Sequence, residues 1–306
     1  MDPATTLAPL DAALEGLGQG RAEESLSAVV SHLAGLRAAT SVESWNALLW
    51  QVRNHALREA VHRDPFIFRC YSKPRGYAPD AVALDFVLRA RELPVRSRDP
   101  VSAIHHFATN GQAARALRFR RDAIAREIDA VAGRAARPAR IFAAGAGHLR
   151  ECDKSAALRE GRVGRLVAFD MDAENLDAIR REYPTLPIVT HHGTVRQIGE
   201  GRHLFGDMDL VYSSGLLETL PHPSAVGLAR ALYTMVAPGG TLFLTHFLPG
   251  LTEAAFLEAY LDWRMVYRKH ADLYDLVKEL PAETVSTWVF SENAEATLGV
   301  LSIQKR

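Results

Sequence analysis

The sequence predicts an α/β protein: a doubly wound, mostly parallel seven-stranded sheet with an antiparallel terminal strand, preceded by a helical cap. Three observations carry this expectation. From residue 140 onward, strand-like apolar runs alternate with helical stretches, which implies parallel strands joined by right-handed crossovers. Up to about residue 95 the apolar residues recur only at helical spacing. The first strand runs into a glycine-containing turn and the second into acids, as they do around a ligand crevice at the carboxyl ends of an open sheet.

Composition is consistent with that class. The chain has 306 residues, of which 48% are apolar, enough for a sizeable core and against intrinsic disorder as the main state. Its 36 Lys and Arg cancel 36 Asp and Glu, so overall charge marks out neither nucleic acid nor an anionic membrane as a partner. Cys70 and Cys152 stand alone, without metal-ligand spacing, which argues against a disulfide scaffold or structural zinc. The start has no basic region followed by an apolar run, and no stretch approaches ~18 consecutive apolar residues. The expectation is a cytoplasmic protein with a small-molecule substrate, no nucleic acid or membrane partner, no metal, and scope for a homodimer.

In chain order, apolar spacing predicts helices over 25–36 and 44–61, the second through Trp45, Leu48, Leu49 and Val52. The passage DPFIFRCYSKPRGYAPD over 64–80 holds three prolines and Gly76, which forbid one continuous helix and predict a shaped loop or short turns. A helix follows over 112–131, striped by Leu117, Ile124, Ile128 and Val131. Residues 115–140 carry eight Arg against three acids. Without interleaved aromatics beyond Phe119, this reads as a solvated face and basic linker rather than a nucleic-acid stripe. The division falls between a helical cap or lid region, 1–135, and a sheet-bearing core, 136–306.

Strands are expected over 140–144, 165–170, 187–191, 209–213, 241–247, 284–290 and 298–304. Helices are expected over 148–160, 173–183, 194–204 and 223–236, with a long one over about 253–280. Residues 291–297 leave room only for a hairpin turn, so the last strand should run antiparallel.

The turn RIFAAGAGHLRE and the strand LVAFDMD carry the first chemistry. Gly145 and Gly147 allow close backbone approach, the expected helix after them aims its positive end at the same place, and Asp170 can accept both hydroxyls of a ribose. Arg150 takes the place of the third glycine of a dinucleotide fingerprint. In this motif set, with the APGG turn and terminal hairpin, residues 140–247 resemble a class I methyltransferase core, Rossmann-like and dependent on S-adenosylmethionine. The passages DPFIFRCYSKPRGYAPDA, AAGAGHLRE, VYSSGLLETLP, PGGTLFLTHF and FLEAYLDWRMVYR are similar, in order, to a bacterial group often labelled 3-hydroxypalmitic acid methyl ester biosynthesis proteins. The sequence departs from these patterns at Ala143, where an acid is usual, at Leu149 for a glycine, at Glu218 for Asp and at His246 for Asn.

The expected cofactor site has adenosine between Asp170, Met171 and the segment Gly193, Thr194, Val195, with methionine over Ala144, Gly145, Ala146 and Gly147 and the backbone of Ser213, Ser214 and Gly215. With Ala143 lacking a carboxyl, Asp80 or Glu151 is expected to meet the methionine amino group. Arg75 and Tyr77 read as a lid that binds a carboxylate and closes over the sulfonium, or else as parts of a cap pinned by ion pairs. The resemblance implies Asp262 and Arg268 as substrate candidates, with Trp263 and Tyr267 as apolar walls; Phe256, Tyr260, Trp263 and Tyr267 would share one helix face. A carboxylate acceptor needs no base, because its reference pKa is ~4, but it needs a positive anchor, Arg75 or Arg268. A hydroxyl or carbon acceptor needs a base, for which His246, His222 and Glu218 are the candidates. The leading expectation is O-methylation of the carboxylate of a hydroxy acid or acyl metabolite. The alternatives are a hydroxyl or carbon methyltransferase with a His base and a non-catalytic, cofactor-binding regulatory protein.

Overall fold

The computed structural model describes residues 3–89, 100–202 and 205–306. The last two residues of the helix expected over 194–204 lie outside that set. The chain divides into two compact units: residues 1–117 with 251–264, and residues 118–250 with 265–306. The sequence-based division at 135/136 is one of patterning, between helices alone and strand–helix alternation.

The first unit is helical. It comprises α1 (Pro3–Gly18), α2 (Ala22–Ala39), α3 (Val42–Asn54), α4 (Leu57–Val61), α5 (Pro65–Ser72), α6 (Ala81–Val87), α7 (Pro100–Asn110) and the first residues of α8 (Gln112–Arg134). The helix expected over 44–61 is broken, because His55 adopts an extended ψ of 145° and its N–H caps α3 on the Val52 carbonyl. Half of the passage read as loop is helical. Asp64 caps α5 by accepting from the Ile67 N–H at 2.8 Å, and Pro65 sits where a missing N–H costs nothing.

The second unit contains β1 (Ala139–Ala144), α9 (Ala156–Arg159), β2 (Val163–Asp170), α10 (Ala173–Glu182), β3 (Ile188–His192), α11 (Val195–Gly199), β4 (Met208–Ser213), α12 (His222–Thr234) and β5 (Val236–Phe247). After the chain returns from α13 (Ala254–Tyr260), which belongs to the first unit, come α14 (His270–Lys278), β6 (Val285–Glu292) and β7 (Leu298–Lys305). The sheet order is β3-β2-β1-β4-β5-β7-β6. β1 to β5 pair in parallel, whereas β7 pairs antiparallel with both β5 and β6. The expected doubly wound sheet is present, with the last strand of the chain inserted between β5 and the edge.

Alternate residues of each central strand feed two cores. Phe142, Val167, Phe169, Val211, Leu242 and Leu244 pack with α12 and α14, while Ile141, Leu166, Ala168, Leu210 and Tyr212 pack with α8 and α10. At ~1.5–3 kcal/mol for each large apolar side chain fully buried, these two layers supply the main drive for the sheet.

Besides the break at His55, the helix expected over 194–204 is formed only over Val195–Gly199, and two more expected helices are not formed as read. Residues 145–154 are turns, and helix resumes only at Ala156. Leu149 is at φ +52°, and Asp129 on α8 fixes the later start by accepting from the Ser155 hydroxyl and from the N–H groups of Ala156 and Ala157. The long helix over 253–280 is two helices separated by residues 261–269. Asp262 stands at φ +47°, and its carboxylate pairs with Arg53 and Lys73. Trp263 and Tyr267 therefore lie outside any helix, and the single aromatic face expected from Phe256 to Tyr267 does not exist.

Candidate functional site

The chain leaves β1 for β2 and β3 on one side and returns to β4 and β5 on the other, so the direction of the sheet order switches beside β1. Open α/β sheets bind ligands beyond the carboxyl ends of strands at such a point. Ala144 pairs in register with Phe169 and with Ser213, which brings together three segments: the turn from Gly145, the acid Asp170 and the segment 214–220.

On one side Asp170 is 7% exposed. Its Oδ2 accepts from the Gly147 N–H and its Oδ1 from the Asp172 N–H, both at 2.8 Å. Burial raises its pKa, and the backbone N–H bonds from Asp172 and Gly147 and the Asn175 side chain work against that. A carboxylate has roughly four acceptor positions, so these bonds leave capacity for another donor. The Gly193 N–H donates to the Asp170 carbonyl at 3.0 Å, and Thr194 caps α11 with Gln197 in a capping box. Met171 is 56% exposed beside this carboxylate, and Val195 packs against the core. The chemistry of this side suits a nucleoside: an acceptor for hydroxyls next to an exposed apolar side chain.

The glycine turn differs from its expected form. No helix begins after Gly147, so the helix-dipole contribution falls away. The Gly145 and Ala146 N–H groups instead donate to the Phe169 carbonyl at 2.9 and 3.1 Å. Gly145 has φ +72°, and a Cβ there would lie 2.7 Å from Leu216. The missing side chain is thus needed for packing as well as for backbone conformation.

On the other side a buried polar group sits at the ends of β4 and β5. Glu151 accepts from the Tyr212 hydroxyl at 2.6 Å, and burial raises the pKa of both. Glu218 faces Arg120, Oε1 to Nη1, at 3.4 Å, while its Oε2 has no hydrogen-bond partner. Burial raises the Glu218 pKa, opposed by Arg120. Burial lowers that of Arg120, opposed by Glu218 and Glu151. The Ser213 hydroxyl is buried without a partner. Arg268 donates to the Leu217 and Leu220 carbonyls, each at 2.6 Å, and its Nη1 lies 3.3 Å from Nε2 of His246. Burial, then Arg268, pushes the His246 pKa down to about 3.

Arg120 was missed in the sequence as a site residue. The signal was present: it falls between Leu117 and Ile124 at helical spacing, inside the apolar stripe of α8, where an arginine stays only if paired. Arg268 spends guanidinium donors on backbone carbonyls, so it holds the 217–220 segment as well as being the cation expected at a pocket. His222 lies apart on α12, 3.6 Å from Asp275.

Of the remaining candidates, Asp80, Arg75, Tyr77, Asp262 and Trp263 belong to the first unit and Tyr267 to the second. Asp80 caps α6 on the Ala83 N–H and pairs with Arg69 at 2.7 Å. Arg75 and Tyr77 flank Gly76, at φ +83°, in the connection from α5 to α6, both half-buried. Trp263 is buried. Among the described residues no helix is long and apolar enough to cross a membrane, and no group of three or more His, Cys, Asp or Glu could hold a metal ion.

No family model and no curated protein matches the chain. Among solved structures, it is similar to a possible exported protein from Bordetella parapertussis, with 15% identity, a TM-score of 0.62, and coverage of 87% of this chain and 99% of that one. That likeness is one of fold. Magnesium protoporphyrin IX methyltransferase from Synechocystis, with bound S-adenosylhomocysteine, aligns at 11% identity and TM-score 0.47 over 64% of this chain and 88% of that one. The N-methyltransferase NodS from Bradyrhizobium japonicum, also with S-adenosylhomocysteine, aligns at 14% and 0.47 over 74% and 97%.

Proposed function

We propose that the chain is an S-adenosylmethionine-dependent methyltransferase that esterifies the carboxylate of a hydroxy acid or acyl metabolite. The observation that carries the reading is the Gly147–Asp170 arrangement at the switch point, where a buried carboxylate with unused acceptor capacity meets the turn after β1. Asp170 takes a ribose hydroxyl, Met171 and the residues Gly193 to Val195 border the adenine, and the backbone of Ala144 to Gly147 and Ser213 to Gly215 borders the methionine. Glu151 meets the methionine amino group in the absence of an acid at position 143. When bound, the cofactor supplies an electrophilic methyl group.

The state of His246 favours a carboxylate over a hydroxyl that would need a histidine base. His246 is held neutral far below the usual imidazole range, and a nitrogen so weakly basic gains little by taking a proton from an alcohol. A carboxylate arrives already ionised. Ester formation from it releases no proton, and a dry site favours the union of opposite charges.

Isothermal titration with S-adenosylhomocysteine, followed by transfer of a labelled methyl group to a panel of hydroxy and fatty acids, tests the reading. Binding with base-labile label on an acid is expected. Absence of binding overturns the cofactor assignment, and label confined to alcohols or amines overturns the acceptor.

A further inference from the structure

Arg120, on the part of α8 that belongs to the second unit, leaves one edge of its guanidinium unspent. Among the described residues its one hydrogen bond runs from Nη1 to Oε1 of Glu218 at 3.4 Å, longer than the ~2.7–2.9 Å of a charge-assisted bond. Nε and Nη2 have no partner among those residues, yet neither is sealed in, and the side chain keeps 9% of its surface open. Arg268 differs. Its Nε is buried as well as unpartnered, and its other donors hold the Leu217 and Leu220 carbonyls. The open donors of Arg120 share one side of the guanidinium plane, because Nε–H and one N–H of Nη2 point the same way, as the two oxygens of a carboxylate require.

The 214–216 segment places that guanidinium in the crevice. Gly215 is at φ +81°, and a Cβ there would lie 3.2 Å from Nη1 and 3.4 Å from Nη2 of Arg120, so the guanidinium rests against backbone that carries no side chain. The next residue, Leu216, packs so closely on Gly145 that a Cβ on that glycine would meet it at 2.7 Å. One short segment therefore touches both Arg120 and the glycine turn after β1. The acids that act on Arg120 are Glu218 and Glu151. Burial raises the pKa of both; the Tyr212 hydroxyl occupies one oxygen of Glu151, and Glu218 is steadied also by Arg268 and by the backbone at Phe247. Neither carboxyl fills the Nε edge. An arginine that served Glu218 alone would turn this edge, its best bidentate geometry, onto that carboxylate.

The geometry points to Arg120 as the carboxylate anchor of this crevice, its Nε–H and Nη2–H receiving the two oxygens of an ionised carboxylate on a ligand. Two carboxylates answer to that chemistry: the amino-acid end of the cofactor, which the proposed function lays along residues 144–147 and 213–215, and the acid that is methylated. Each oxygen keeps a second lone pair, so an acceptor held this way remains open to the methyl group. The identity of the ligands rests on the methyltransferase reading, whereas the unspent guanidinium edge does not.

The test uses the full chain labelled with 15N-arginine. Arg120→Lys identifies the Arg120 Nε–H signal and removes the fork while keeping a positive charge beside Glu218. S-adenosylhomocysteine is compared with S-adenosyl-3-thiopropylamine, which lacks only its carboxylate, and 3-hydroxybutyrate is compared with its methyl ester in the presence of that amine. A shift with S-adenosylhomocysteine but not with the amine assigns the anchor to the cofactor; a shift with 3-hydroxybutyrate but not with its ester assigns it to the acceptor. In Arg120→Lys the carboxylate that moves the signal should bind about 10- to 100-fold more weakly by calorimetry, while the amine binds within about twofold of wild type, a split that a merely destabilised fold would not give. A signal moved by neither carboxylate, or moved equally by the compounds without one, overturns the proposal, as does unchanged carboxylate affinity in Arg120→Lys. If neither nucleoside binds, the methyltransferase reading fails, and 3-hydroxybutyrate against its ester, without the amine, still judges Arg120.

Discussion

Replacing Arg120 by Met tests whether the polar group beneath the 214–220 segment is an electrostatic unit. Glu218 is almost wholly buried, one oxygen faces Arg120 at 3.4 Å and the other has no partner. Methionine keeps apolar volume but leaves a buried carboxylate without its cation, a change that costs about 3–5 kcal/mol. The cost should depend on pH. Burial already raises the folded-state pKa of Glu218 above its ordinary 4.5, and Arg120 restrains the rise; without Arg120 it climbs further. A carboxyl whose folded pKa exceeds its unfolded one binds more protons when folded. Its contribution is therefore most favourable below the unfolded pKa and is lost as pH rises through the folded value. Urea denaturation of Arg120→Met should show the larger deficit at about pH 8 and a smaller one near pH 5, and the double variant Arg120→Met with Glu218→Leu should recover most of the loss. A deficit below about 1 kcal/mol that is flat with pH would refute the electrostatic argument.

Further outcomes follow from the other side of the site. Asp170→Asn loses the charge proposed to receive a ribose hydroxyl and offers an amide N–H to one of its backbone donors. At ~1.5–3 kcal/mol for a charge-assisted bond, S-adenosylhomocysteine should bind about 10- to 100-fold more weakly by calorimetry, and wild-type affinity in a folded variant would remove Asp170 from the site. Gly145→Ala puts a methyl group 2.7 Å from Leu216 at a φ of +72°. Strain of ~1–2 kcal/mol in addition to repacking should lower the melting temperature by several degrees, and an unchanged melting temperature would show that the turn is looser than described.

The sheet was legible because strands buried on both faces read as apolar runs, and Phe142, Val167, Val211 and Leu242 have few alternatives to a core. The strand ends were legible for the same reason, and with them the positions of Gly145, Asp170, Gly193, Ser213 and His246. What local pattern could not show was set by distant partners. The helix expected after Gly147 starts late because a carboxylate 26 residues upstream, on Asp129, accepts from Ser155. The break at Asp262 has no glycine or proline to announce it. It depends on Arg53 and Lys73, 209 and 189 residues away in sequence. Pro65 misled for the opposite reason, since a proline at the first turn begins a helix as readily as one in the interior ends it. Arg120 was visible as a charge in an apolar stripe, but its partner Glu218 lies 98 residues on, and no spacing rule connects them.

A crystal structure of the full chain with S-adenosylhomocysteine tests the central claim most directly. The account predicts a ribose hydroxyl on the Asp170 carboxylate, adenine beside Met171 and Val195, and the amino-acid end over the turn from Ala144 to Gly147. A nucleoside bound away from the ends of β1 and β2, with Asp170 held only by its own backbone donors, would contradict it.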